Sequence, residues 1–180
     1  MNSPLLEVEG LKKWFPVRSG MLRTAKSHVR AVDGVSFCIQ RGEVLGLVGE
    51  SGCGKSTLAQ ALLRILPPPA VITGGTARFE GRDLLALGEA ELRAVRWRRI
   101  AMVFQSAMDS LNPVITVGEQ ITDTLRAHGV AGDRAARDRA AELLELVGLP
   151  RGLSGTYAHR LSGGMRQRLG IAIALALEPS

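Results

Sequence analysis

From Leu5 to Phe15 the stretch "LLEVEGLKKWF" alternates apolar and polar residues well enough to predict an early pair of strands. "VSFCI" (35–39) and "EVLGLVG" (43–49) read as two more, turning at Arg41 and Gly42. "PVRSGMLRTAKSH" (16–28) is basic and aperiodic, and predicts a surface loop. Helical spacing then sets in: Leu58, Leu62, Ile65 and Leu66 recur on one face until Pro67, Pro68 and Pro69 stop the helix. "TARFEGRDL" (76–84) predicts a strand and turn, "EAELRAVRW" (89–97) a short helix, and "IAMVF" (100–104) a fully buried strand ending at Gln105. Two longer helical patterns follow in "VGEQITDTLRAHG" (117–129) and "DRAARDRAAELLELVG" (133–148), the second with Asp133 as N-cap and Gly148 closing it. The last pattern, "LSGGMRQRLGIAIALALEPS" (161–180), is an apolar helix behind Ser162. The order predicts an α/β core interrupted by helices.

Composition narrows the class. At 180 residues and 46% hydrophobic content the chain is long enough for a substantial core. Its longest strongly apolar run, Leu169–Leu177, falls short of the roughly eighteen residues that a membrane helix requires. "MNSPLLEVEG" lacks the layout of a signal peptide, so a cytoplasmic location is expected. Two cysteines, Cys38 and Cys53, show no metal-ligand spacing. The net charge of +6 admits an anionic partner, although clusters such as Arg93, Arg96, Arg98 and Arg99 read first as solvated faces.

The chemistry lies in "GESGCGKS". Gly49-Glu50-Ser51-Gly52-Cys53-Gly54-Lys55-Ser56 matches G-x-x-x-x-G-K-[ST] between a predicted strand and a predicted helix. Such a loop wraps a polyphosphate with backbone N–H groups, and its glycines allow the close approach. Lys55 is expected to bridge the β- and γ-phosphates, Ser56 to ligate Mg²⁺, and Thr57 to add a phosphate contact. Cys53 fills the loop. A second anion-binding segment is expected at Ser162, Gly163 and Gly164, where a capped helix begins with little covering its N–H groups.

"LSGGMRQR" resembles the signature motif of ATP-binding-cassette (ABC) proteins, and it follows the phosphate loop and the helical insert as in that family. The resemblance covers nearly the whole chain. It implies an α/β P-loop NTPase fold: a RecA-like core with an antiparallel β subdomain and a helical subdomain, C-terminally incomplete here. The division expected is 1–104 for the β subdomain and phosphate-loop core, 105–160 for the Q-loop and helical subdomain, and 161–180 for the signature and its helix. It implies ATP and Mg²⁺ as ligands, with Gln105 as the Q-loop glutamine that contacts Mg²⁺ and the attacking water, and Lys55 with Gln105 as catalytic residues. Phe15 takes the position of the aromatic that stacks on adenine, with Trp14 as a rival. Gly49, Ser51, Gly52, Cys53, Gly54, Lys55, Ser56 and Thr57 hold the nucleotide from one cassette, and Ser162, Gly163, Gly164 and Gln167 reach the nucleotide of another.

The partners implied are a second ABC ATPase subunit, as a head-to-tail homo- or heterodimer, the transmembrane permease subunits, and indirectly a solute-binding protein; no nucleic acid is expected. The long basic loop before "AVDGVSF", "SLNP" (110–113) and "YAHRLSGGMRQR" (157–168) resemble the ATPase subunits of dipeptide, oligopeptide and nickel importers, peripheral to the cytoplasmic face of the plasma membrane. Ala158 and Arg160 depart from that subfamily, which usually carries proline and glutamine or glutamate there. The family's Walker B aspartate, catalytic glutamate and switch histidine have no counterpart: no acidic residue follows Glu178, and His28, His128 and His159 all lie elsewhere. The chain is therefore expected to be a fragment that binds ATP without hydrolysing it, with apolar strand edges left open. A binding module that has lost hydrolysis and a cassette acting on nucleic acid are the competing readings.

Overall fold

The computed structural model describes residues 3–18, 25–104, 111–130 and 132–179. The chain divides into two units, Met1–Leu92 and Arg93–Ser180.

In the first unit, β1 (Leu6–Arg18) and β2 (Ala25–Ile39) form a long antiparallel hairpin. β3 (Val71–Phe79) pairs with the other edge of β1, and the two-residue β4 (Arg82–Asp83) completes a four-stranded sheet of order β2-β1-β3-β4. "LLEVEGLKKWF" is thus one strand rather than two. Its alternation resets at a bulge around Gly10, whose φ is 56°. Opposite it, Gly75 has φ 90°, and a Cβ there would lie 2.5 Å from the Gly10 carbonyl oxygen, so the bulge requires a glycine on both strands. The predicted loop at 16–28 is also corrected: its two ends are strand, because cross-strand hydrogen bonds hold the backbone whatever the polarity of the side chains. The core of this unit lies between the sheet and helix α1 (Lys55–Leu62), with Val8, Leu11, Val32, Leu58, Ala61 and Ala77 buried together.

Helix α1 ends before the prolines. Ile65 N–H donates to the Gln60 carbonyl and Arg64 N–H to that of Ala61, with Arg64 left-handed at φ 51°, a hydrogen-bonded C-terminal turn that leaves Ile65 and Leu66 outside the helix.

Two strand predictions fail. Residues 43–50 join no strand, and Val44 and Val48 are 95% and 92% exposed. Residues 101–104 likewise join none, and Val103 and Phe104 are exposed. A continuously apolar strand is stable in a sheet that covers both its faces and both its edges. Among the described residues no strand supplies those neighbours.

Helix α2 (Glu89–Val95) leads into the second unit, which is built on α3 (Val117–Ala127), α4 (Asp133–Leu146) and α5 (Gly163–Ala174). Val117, Ile121 and Leu125 of α3 are buried with Ala136, Ala140, Leu143 and Leu144 of α4 and Leu169 and Ala172 of α5. Thr116 and Glu119 form a reciprocal capping box at the start of α3. Gly132, not Asp133, caps α4; Asp133 is its first helical residue and its carboxylate accepts instead from Arg126, at 2.9 Å. Gly148 closes α4 as expected, left-handed at φ 70°.

Candidate functional site

The phosphate-loop residues lie together in the first unit, where 49–53 arrive exposed and α1 begins at Lys55. Gly54 precedes it as a left-handed N-cap with φ 99°. A Cβ at Gly54 would overlap the carbonyl oxygen of Ala31 on β2, so only glycine brings the loop this close to the sheet. Gly49 meets a softer limit: a Cβ there would stand 2.7 Å from Cys53 Sγ, a side-chain tip that can turn aside. With no side chain at Gly54 to cap them, the first-turn N–H groups of α1, which have no intrahelical partners, remain oriented out of its N-terminus.

Lys55 Nζ donates to the carbonyl oxygens of Gly49 and Glu50, each at 2.7 Å, and stands 3.5 Å from Cys53 Sγ. The ammonium is thereby held over the loop by the loop's own backbone. Ser56 is exposed, Thr57 is half-buried, and Leu58 is buried in the core, so the helix turns its polar start outward while its next residue anchors it. The set comprises backbone donors at a helix start, one ammonium and the hydroxyls of Ser51, Ser56 and Thr57, and among the described residues no carboxylate is hydrogen-bonded to Lys55. That donor set suits a phosphate chain, and a Ser56 hydroxyl beside it suits a hard, oxygen-seeking cation.

The strand register separates the two candidate aromatics. Lys13 pairs with Val32, and both are buried, Val32 in the cluster that holds Leu58 and Ala61 of α1. Phe15 pairs with Val29 and Trp14 with Arg30, both beyond a register shift that follows Lys13. Trp14 is engaged there: the Arg30 guanidinium sits 4.9 Å from its ring centroid and His28 lies 5.7 Å away, centroid to centroid. Phe15 is half-buried in strand rather than loop. Ala31, two residues from Val29, is the backbone on which Gly54 rests, and this contact was not legible in the sequence because it depends on the bulge between Lys13 and Trp14.

The second segment lies in the other unit. Ser162 caps α5, its Oγ accepting from the Met165 N–H at 3.3 Å. Gly163, Gly164 and Gln167 are exposed, and a Cβ at either glycine would meet nothing within 4 Å. These two glycines keep the helix start bare rather than relieve a clash. The helix is held from behind by buried Leu161 and Leu169, and by Arg168, which donates to the Gly148 carbonyl at 2.9 Å. Gln105 lies outside the described residues.

Comparison with known proteins identifies the family. The chain is 47% identical over its whole length to a probable peptide ABC transporter ATP-binding protein of Sinorhizobium fredii, y4tS, and spans 50% of that protein. It is 44% identical over 97% of its length to the oligopeptide transport ATP-binding protein AppF of Bacillus subtilis, of which it spans 52%. The chain thus covers about half the length of the curated relatives it matches. Among solved structures, the ATP-binding cassette MJ0796, a dimer bound to ADP and Pi, superposes with a TM-score of 0.81 at 27% identity, over 97% of this chain and 70% of that one. Residues 32–180 match the family model described as ABC transporter, and the chain belongs to the ABC transporter family.

Proposed function

We propose that the chain is part of the ATP-binding subunit of an importer for peptides or a related solute, and that it holds MgATP on the loop from Gly49 to Thr57. The observation that carries this is the loop itself: Gly54 confined against the Ala31 backbone, a bare helix start, and the Lys55 ammonium held over the loop. The relatives named for peptide and oligopeptide transport support the choice of cargo.

In this reading Lys55 exchanges its two backbone carbonyls for phosphate oxygens, a stronger charge-assisted pairing. The N–H groups of Lys55, Ser56 and Thr57 orient the phosphates, Ser56 and Gln105 hold Mg²⁺, and Phe15 offers its ring to the base. When bound, the metal neutralises charge on the phosphates. Ser162, Gly163, Gly164 and Gln167 present a second set of donors to the nucleotide of a partner cassette, a reading favoured by the dimeric state of MJ0796. The chain sits peripherally at the cytoplasmic face of the plasma membrane against transmembrane permease subunits that pass the solute; among the described residues no helix is long and apolar enough to cross the membrane. The complete subunit hydrolyses ATP, whereas the 180-residue chain alone holds the nucleotide without turnover: among the described residues no carboxylate hydrogen-bonds Lys55, and water attack on the γ-phosphate needs a group that orients or deprotonates the water.

Isothermal calorimetry of the chain with and without Lys55→Ala tests the assignment. Loss of the lysine removes a charge-assisted contact of about 2 kcal/mol, a drop of roughly thirtyfold in MgATP affinity. Equal affinity in the two proteins would overturn it.

A further inference from the structure

Just ahead of Ser162 the chain carries a feature that phosphate binding leaves unused. The ring of Tyr157, the only tyrosine in the sequence, lies parallel to that of His159, with centroids 5.7 Å apart and planes 15° from each other. Both residues are exposed, Tyr157 at 42%. The pair stands on a rigid base. Thr156 accepts from the Val117 N–H at 2.8 Å, Tyr157 bridges Thr116 across an isolated antiparallel contact, and a 3-10 turn at Ala158–Arg160 carries the chain directly into the buried Leu161 and the cap at Ser162. Buried Ala158 fixes the turn from below while its neighbours point their rings to solvent. Two aromatic rings held ready on fixed backbone lose little conformational entropy on being covered, which is why such side chains dominate protein contacts.

Resting on the assignment of Ser162–Gln167 as the face offered to a partner cassette, we infer that Tyr157 and His159 belong to the same contact. They form an aromatic step that a second ATP-loaded cassette covers as it closes on the signature. The partner is a second copy of this chain. What selects it is continuity: only Leu161, which is buried, and Arg160 separate the pair from the exposed cap, so a body that seats on the bare start of α5 reaches the step as well. The pair adds contact area while the glycines and Ser162 supply the polar donors, the division between an apolar anchor and oriented hydrogen bonds common to specific interfaces.

The single tyrosine makes the test direct. Nitration of Tyr157 by tetranitromethane is followed in the full chain with and without MgATP, at several protein concentrations, with sedimentation recording association. The expected result is protection of at least about threefold with MgATP, as for a side chain that leaves water within a contact. The protection should grow with protein concentration and disappear both in Ser162→Arg, which blocks the helix start, and in Lys55→Ala. His159→Ala, with its fold checked by circular dichroism, should weaken MgATP-dependent association while leaving monomer affinity for MgATP unchanged. Several results would overturn the inference: an unchanged nitration rate while Ser162-dependent association occurs, protection independent of concentration, or MgATP binding with no association. Failure of the underlying assignment reads differently, as MgATP affinity indifferent to Lys55 or association indifferent to Ser162→Arg.

Discussion

Cys53 occupies a position from which it reports on its neighbours. Its sulfur is exposed, 3.5 Å from the Lys55 ammonium, and it fills the space that a Cβ at Gly49 would need. Any phosphate chain drawing Lys55 away from the Gly49 and Glu50 carbonyls must lie across this thiol. Maleimide labelling of Cys53, separated from Cys38 by peptide mapping, should therefore slow under saturating MgATP while labelling of Cys38 stays constant. An unchanged rate at Cys53 would place the nucleotide elsewhere. Lys55 and Gly54 were both legible as residues, but their reasons differ: the lysine answers to the motif, whereas the glycine answers to Ala31, a contact between the loop and a strand about twenty residues earlier.

Helix α3 shows how much an element depends on its ends. The Thr116 side chain accepts from the Glu119 N–H, and Glu119 accepts in return from the Thr116 N–H at 2.8 Å. That backbone hydrogen bond, followed by the one from the Thr116 hydroxyl, holds the Glu119 carboxyl below its ordinary range. Thr116→Ala should lower the stability of the second unit by about 1 kcal/mol, measured by urea unfolding, as for other lost N-caps. At the other end, partial burial, with Arg98 and Arg93 adding to it, lowers the His128 pKa below 6.5. The unfolded imidazole binds its proton first, so this contribution to stability is full above pH 6.5 and is lost as the pH falls through the lowered folded value. Unfolding midpoints should accordingly drop on acidification from pH 6.5 towards the lowered folded value, and His128→Gln should flatten the dependence in that window.

At the scale of the whole molecule, each unit has its own buried cluster, and the segments left outside both are the two that read most strongly as core strands. Val44 and Val48 stand almost wholly in solvent, with Leu45 and Leu47 partly so. Leu45 and Leu47 also line an apolar cavity of about 310 Å³ with Val35, Phe37, Leu58 and Leu62. Apolar surface of this kind binds hydrophobic dyes. The chain should enhance the fluorescence of anilinonaphthalene sulfonate in its native state, and Val44→Lys combined with Val48→Lys should reduce the enhancement without loss of far-ultraviolet ellipticity. No enhancement in the parent chain would mean that this surface is covered in solution.

The sequence by itself determined the local chemistry: the phosphate loop, the cap at Ser162, the helical spacing of α3 and α4 and the stop at Gly148. Each of these follows from residues within a few positions of one another, where propensity, capping and backbone freedom decide the outcome. Tertiary structure decided what depends on distant neighbours. It merged the first two predicted strands across the Gly10 bulge, carried the hairpin into the basic segment, set Trp14 against Arg30 and His28, and buried Lys13 at 4% exposure with its Nζ on the Ala70 carbonyl. It also withheld strand pairing from 43–50 and 101–104, whose apolar pattern specifies burial but cannot specify the strands that provide it. Sheet pairing is a relation between segments far apart in the chain, and an apolar run encodes only one side of it.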